Sequence, residues 1–169
     1  MDKDTIHFIL TGGTIDSYLD GKKDAIVTLK KSFLPEYLNS LSLYIKFKFT
    51  ELFMKDSRQI TEADLKLIKK TIDGSEYKKI ILTHGTYTMA DTARYLKANL
   101  KRKDQVVVLM GSFLPLKEFP LSDGAFNLGF AIAKAQTLKP GVYIFMNGKE
   151  FEADEAAKLV SEGRFISVK

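Results

Sequence analysis

The sequence predicts a three-layer α/β fold: a mostly parallel sheet with helices on both faces. Two observations predict it. Short apolar runs alternate with stretches of helical periodicity, the pattern of repeated βαβ units. Clusters of small and hydroxyl residues follow those apolar runs, at the carboxyl ends of the expected strands, where open α/β sheets bind ligands. A length of 169 residues suits one domain, 1–169.

The elements follow in order. Ile6–Leu10 reads as a buried strand. Leu43–Leu52 alternates in part, with Ile45, Phe47 and Phe49 against Tyr44, Lys46 and Lys48, as a half-exposed strand does. Thr61-Glu-Ala-Asp64 resembles a capping box and opens a helix carrying Leu65, Ile68 and Ile72, which Gly74 stops. Lys79–Thr83, Gln105–Met110 and Val142–Met146 are further short strands. Between them, Thr88 to Leu100 is a helix carrying Ala93, Leu96 and Leu100. Ser122-Asp-Gly opens another, running toward Leu138 and closed by Pro140-Gly141. Glu152 to Glu162 reads as a charged terminal helix. Together these specify a Rossmann- or flavodoxin-like single domain.

Composition narrows the chemistry. There is no cysteine, which excludes disulfides, thiolate catalysis and cysteine metal sites. The two histidines, His7 and His84, lie far apart, and no acidic cluster has ligand spacing, so neither a metal nor another cofactor is expected. The net charge of +5 comes mostly from lysines scattered over polar helix faces. Lys101-Arg102-Lys103 is the one focused run, at an expected helix end, so no nucleic-acid partner is expected. No stretch approaches the roughly 20 apolar residues that span a bilayer, and no signal-peptide core is visible, so a cytoplasmic protein without a membrane partner is expected.

Four loops are expected to converge on one sheet edge: Thr11-Gly-Gly-Thr-Ile15, Asp56-Ser-Arg-Gln-Ile-Thr61, His84-Gly-Thr-Tyr-Thr-Met89 and Gly111-Ser-Phe-Leu-Pro115. Gly12 and Gly13 permit a tight turn that exposes backbone amides, and Thr14 follows with a free hydroxyl. A threonine hydroxyl needs a neighbouring base at neutral pH. With His7 placed in the core of a strand, a desolvated lysine is the natural candidate.

These motifs resemble the L-asparaginase (asparaginase/glutaminase) family in its amino-terminal domain. Thr11-Gly-Gly-Thr-Ile15 is similar to its first signature, and His84-Gly-Thr-Tyr-Thr-Met89 with Asp91-Thr-Ala93 to its second. Asp56-Ser57 resembles its substrate-binding serine loop, and Ser122-Asp-Gly-Ala-Phe-Asn-Leu128 its Asp-Gly/Ala-x-Phe-Asn-Leu helix start. Spacing after Met146-Asn147 places Lys158 at the family's catalytic lysine. The resemblance runs from about Ile6 to Arg164 and does not extend to the family's carboxy-terminal domain.

The resemblance implies a small asparaginase-like amidohydrolase, converting L-asparagine or a related amide to a carboxylate and ammonia. Thr14 would be the nucleophile, with Thr86 and Lys158 moving protons. Gly13, Ser57, Arg58, Tyr87 and Ser112 would meet the substrate, and Tyr18 would be the activator. Tyr87 stands where the family has the aspartate that pairs with the substrate ammonium, which predicts poor binding of free asparagine. The open pocket of a single domain predicts a homodimer covering it. Two other readings compete. One is a catalytically impaired relative that binds a small carboxylate ligand or a protein partner. The other is a flavodoxin-like phosphate or flavin binder.

Overall fold

The computed structural model describes residues 5–117 and 119–168. Five strands form the parallel body of the sheet: β1 (Ile6–Gly12), β4 (Phe47–Lys55), β5 (Lys79–Thr83), β6 (Val106–Met110) and β7 (Gly141–Met146). The order across the sheet is β4-β1-β5-β6-β7-β8, with β8 (Lys149–Glu152) antiparallel at the edge. Taken in chain order, the parallel strands run second, first, third, fourth, fifth. That is the flavodoxin-like arrangement, and its direction reverses between β1 and β5.

Alternation along the strands sorts the core into two layers. Phe8, Leu10, Ile81, Val108 and Met110 face α1 (Leu34–Ser40) and α4 (Asp123–Ala135), meeting Leu34, Leu38, Leu128 and Ala131. Ile9, Ile80, Leu82, Val107 and Leu109 face α2 (Glu62–Gly74) and α3 (Met89–Asn99), meeting Ile68, Ile72, Met89 and Leu96. The central strands are buried on both faces, which is why they read as continuous apolar runs.

The helix starts follow their local chemistry. The expected capping box on α2 is complete: Thr61 accepts from the Asp64 amide, and the Asp64 carboxylate accepts from the Thr61 amide. Lys55, at the end of β4, pairs with the same Asp64 at 2.7 Å and so ties strand to helix. His7 bridges Ser75 at 2.7 Å and Thr50 at 2.8 Å within the core. No helix among the described residues is long and apolar enough to cross a membrane.

Two expectations need correction. The second parallel strand begins at Phe47 and runs to Lys55, later than Leu43–Leu52. Its pairing with Ile6 at Phe47 sets the register, and Leu41, Leu43 and Tyr44 stay exposed. Glu152 to Glu162 is not a helix: β9 (Ala156–Leu159) turns back onto β10 (Arg164–Ser167) in a hairpin. Ala153, Ala156 and Phe165 of that segment bury in the core, so its apolar residues are spent on the sheet side and not on a helical stripe. A second hairpin, β2 (Ser17–Asp20) with β3 (Ala25–Thr28), follows the first glycine loop.

Candidate active site

The site forms at the carboxyl ends of β1 and β5, where the strand order reverses. The turn after β1 demands glycine. Gly12 and Gly13 have φ of 92° and 82°. A Cβ on Gly13 would stand 2.5 Å from the Gly85 amide nitrogen, so the first and third loops touch backbone to backbone. The Gly13 N–H is committed to the Lys55 carbonyl at 2.9 Å. Thr14 then opens a short 3-10 turn and faces the cleft.

Asp16 locks that turn from behind. It is fully buried, and its carboxylate accepts from Ser32 Oγ and from the Phe33 amide, both at 2.8 Å. Its carbonyl receives the Leu29 amide at 2.8 Å, which fastens the end of β3. Burial pushes its carboxyl up to about 6.

The third loop is held by His84, also fully buried. Nδ1 lies 2.7 Å from the Gly85 carbonyl, which can only accept, so Nδ1 carries the proton. Nε2 is then free to accept from the Thr92 hydroxyl at 2.9 Å. Burial lowers this imidazole to about 4, so it is neutral and structural. The His-Gly-Thr motif thereby aims Thr86 and Tyr87 into the cleft.

The fourth loop is carried by α4. The Asp123 carboxylate accepts the amides of Phe113 and Leu114 at 3.0 Å, and Asn127 Nδ2 donates to the Gly111 carbonyl at 3.0 Å. The Asp-Gly-Ala-Phe-Asn segment is thus a clamp that presents Phe113 to the cleft. Ser112 is buried, with its hydroxyl turned to the Leu114 carbonyl at 2.5 Å, and does not line the cleft. Gly111 likewise lies behind it, against His84.

The cleft holds about 200 Å³. Gly13, Thr14, Ser57, Arg58, Thr86 and Tyr87 come together in it, as do Ser17, Ile26 and Thr28 of the β2–β3 hairpin. Ser57 is 2% exposed and its hydroxyl has no partner among the described residues, so a polar group waits at the floor. Lys158, on β9, reaches in from the side. Its Nζ is 2.7 Å from Thr86 Oγ1 and 3.8 Å from the centre of the Tyr87 ring. Burial, then the nearby Arg58 charge, pushes its ammonium below the ordinary lysine range. Tyr18 pairs with Val27 on the hairpin face opposite Ser17, Ile26 and Thr28, so it points away from the cleft.

The hairpin, Phe113 and Thr28 escaped the sequence reading. Asp20-Gly-Lys-Lys-Asp24, a charged turn between two short alternating runs, was the available signal for the hairpin. That hairpin also bears on phosphate binding. The glycine loop runs into a 3-10 turn and a strand, and so lacks the helix N-terminus at which phosphate sits in flavodoxin-like binders.

Known proteins match the chain in sequence and in fold. The family model described as Asparaginase, N-terminal matches residues 5–165. The chain is 32% identical to the L-asparaginase of Thermococcus kodakarensis over 70% of its own length and 36% of that protein. It is 28% identical to L-asparaginase 1 of Escherichia coli over 96% of its length and 50% of that protein. The structure superposes on the thermostable L-asparaginase of Thermococcus kodakarensis with a TM-score of 0.83 at 29% identity, covering 97% of this chain and 51% of that one. The match to L-asparaginase I of Vibrio cholerae has the same TM-score at 26% identity, covering 98% and 51%. The chain thus spans about half the length of these relatives or less.

Proposed function

The chain belongs to the asparaginase family, and on that premise we propose that it is a small amidohydrolase acting through Thr14. The observation that carries the reading is the Lys158–Thr86 contact of 2.7 Å in the same cleft as Thr14. A lysine held below its ordinary range is the better proton acceptor through a neighbouring hydroxyl.

The reaction is an acyl transfer in two halves. Thr14 Oγ attacks the amide carbon, its proton leaving toward the Thr86–Lys158 pair, and a C–O bond forms. The tetrahedral oxyanion needs fixed N–H donors. Gly13 has spent its amide on Lys55, so that role passes to the amides at Thr14 and at Thr86–Tyr87. The leaving nitrogen takes a proton as the C–N bond breaks, and ammonia departs. Water then attacks the Thr14 ester, and the pair receives and returns its proton. Ser57, with its unpartnered hydroxyl, suits a substrate carboxylate. A homodimer would cover the open cleft and strengthen its electrostatics.

Ammonia release from a panel of amides tests the reaction. Thr14→Ala should lower turnover by about 10³-fold or more, the scale at which loss of a nucleophile is felt. Unchanged turnover would overturn it. A second reading, a non-catalytic binder of small carboxylates, draws on the absence of a free carboxylate in the cleft lining among the described residues. It predicts binding with no ammonia from any amide.

A further inference from the structure

We infer that the cleft selects amides that bear a carboxylate but no α-ammonium, and that Arg58 reads that charge. The inference rests on the amidohydrolase reading and names its substrate class.

Among the described residues that line the cleft, Asp56 is the only carboxylate. It is already engaged: Arg58 Nε donates to one oxygen at 3.0 Å and Nη2 to the other at 2.8 Å, while the Arg58 amide adds a third bond at 2.8 Å. These bonds hold the Asp56 carboxyl below its ordinary range, so it stays ionised and compensated in place. Whether Lys158 is charged or neutral, the lining carries no uncompensated negative charge among the described residues. An entering ammonium would lose its water without gaining a counter-ion.

The same features suit an anion. The Arg58 guanidinium carbon lies 4.7 Å from the centre of the Tyr87 ring, and Asp56 fixes its direction through two hydrogen bonds. Nη1 is left to donate. A guanidinium oriented on two sides loses less rotamer freedom when it meets a carboxylate. Lys158 Nζ lies 3.8 Å from the centre of the same ring. Tyr87 is therefore in contact with two basic side chains, and Ser57 adds an unpartnered hydroxyl to the lining. The ligand that matches this lining is the ω-amide of a small dicarboxylate, with its α-nitrogen absent or acylated.

Calorimetry with Thr14→Ala tests recognition apart from turnover, using succinamate, N-acetylasparagine, asparagine and the neutral amide propionamide. The two anionic amides without an ammonium should bind at least about tenfold tighter than asparagine, the scale of one charge-assisted contact. Adding Arg58→Gln should weaken them about tenfold and leave propionamide unchanged, and Arg58→Lys should recover part of the loss. Asparagine binding as tightly as succinamate, indifference to Arg58→Gln, or no binding of either anionic amide would each overturn the selectivity. Ammonia release by the unmodified chain separates the two ideas. If the binding order holds but no amide is cleaved, hydrolysis fails and recognition stands. If asparagine is the preferred substrate, recognition fails and hydrolysis stands.

Discussion

At the scale of single residues, the electrostatics of the cleft turn on Tyr87 and Arg58. Tyr87 offers an aromatic face to cations, worth about 0.5–2 kcal/mol, in place of a full negative charge. Tyr87→Asp should raise kcat/KM for free asparagine by about tenfold, since a charge-assisted contact is worth 1.5–3 kcal/mol, and do little for N-acetylasparagine. Robust wild-type turnover of asparagine that falls in Tyr87→Asp would contradict this. Arg58 also bears on Lys158, the proposed base. Its positive charge helps to depress Lys158, while Asp56 acts in the opposite sense. Removing the guanidinium in Arg58→Gln frees Asp56 and raises Lys158, so less neutral amine is present at a given pH. The rising limb of the pH–kcat profile should therefore move to higher pH in Arg58→Gln. A limb that stays fixed or moves to lower pH would remove Lys158 from the role of base.

At the scale of elements, the loops work because scaffolding residues fix them. Gly13 can have no side chain, because of its φ of 82° and the Gly85 nitrogen 2.5 Å from where a Cβ would stand. Gly13→Ala should cost about 1–3 kcal/mol or more in urea unfolding, the range for backbone strain at such sites, and should abolish turnover. Wild-type stability and activity in this variant would show that the turn is not held as described. Much of this was legible in the sequence. The five parallel strands, the α2 capping box and three of the four loops appear as apolar runs followed by hydroxyl residues. The hairpins were not legible for a physical reason. Strands of four residues with one exposed face carry too few alternating positions to stand out from a charged helix, and Lys158 on β9 was placed only by spacing. The fourth loop was legible in position but not in detail. Which of Ser112 and Phe113 faces the cleft depends on the Asp123 and Asn127 clamp, set by tertiary contact.

At the scale of the whole molecule, buried ionisable groups set the response to acid. Burial holds His7 and His84 at about 4, below the ordinary imidazole value of 6.5. The unfolded chain therefore takes up their protons first, and stability falls as pH drops from 6.5 toward 4. Asp16, raised to about 6, opposes this: the folded chain protonates it before the unfolded one, so it adds stability from pH 6 down to 3.8. Two imidazoles outweigh one carboxyl, so the unfolding midpoint should decline below pH 6.5, and His7→Asn should flatten the decline. A midpoint that rises on acidification would contradict the assignment of these groups. The cleft also bears on assembly. Ile26 and Tyr87 of its lining are exposed at 45% and 53%, as are Leu19, paired with Ile26 on the hairpin, and Leu114, next to Phe113, at 52% and 41%. A homodimer that covers them would shelter the site, and light scattering at high concentration should give twice the chain mass; a monomer would leave the cleft open to water.

The most direct measurement is to trap the acyl group. A mono-activated ester of succinic acid, which keeps the free carboxylate and carries its leaving group where the amide nitrogen would be, incubated with the wild-type chain and with Lys158→Met to slow release, should leave a covalent mass addition that peptide mapping places on Thr14. Thr14→Ala should show none. An adduct on any other residue, or equal labelling of Thr14→Ala, would contradict the assignment of Thr14 as the nucleophile.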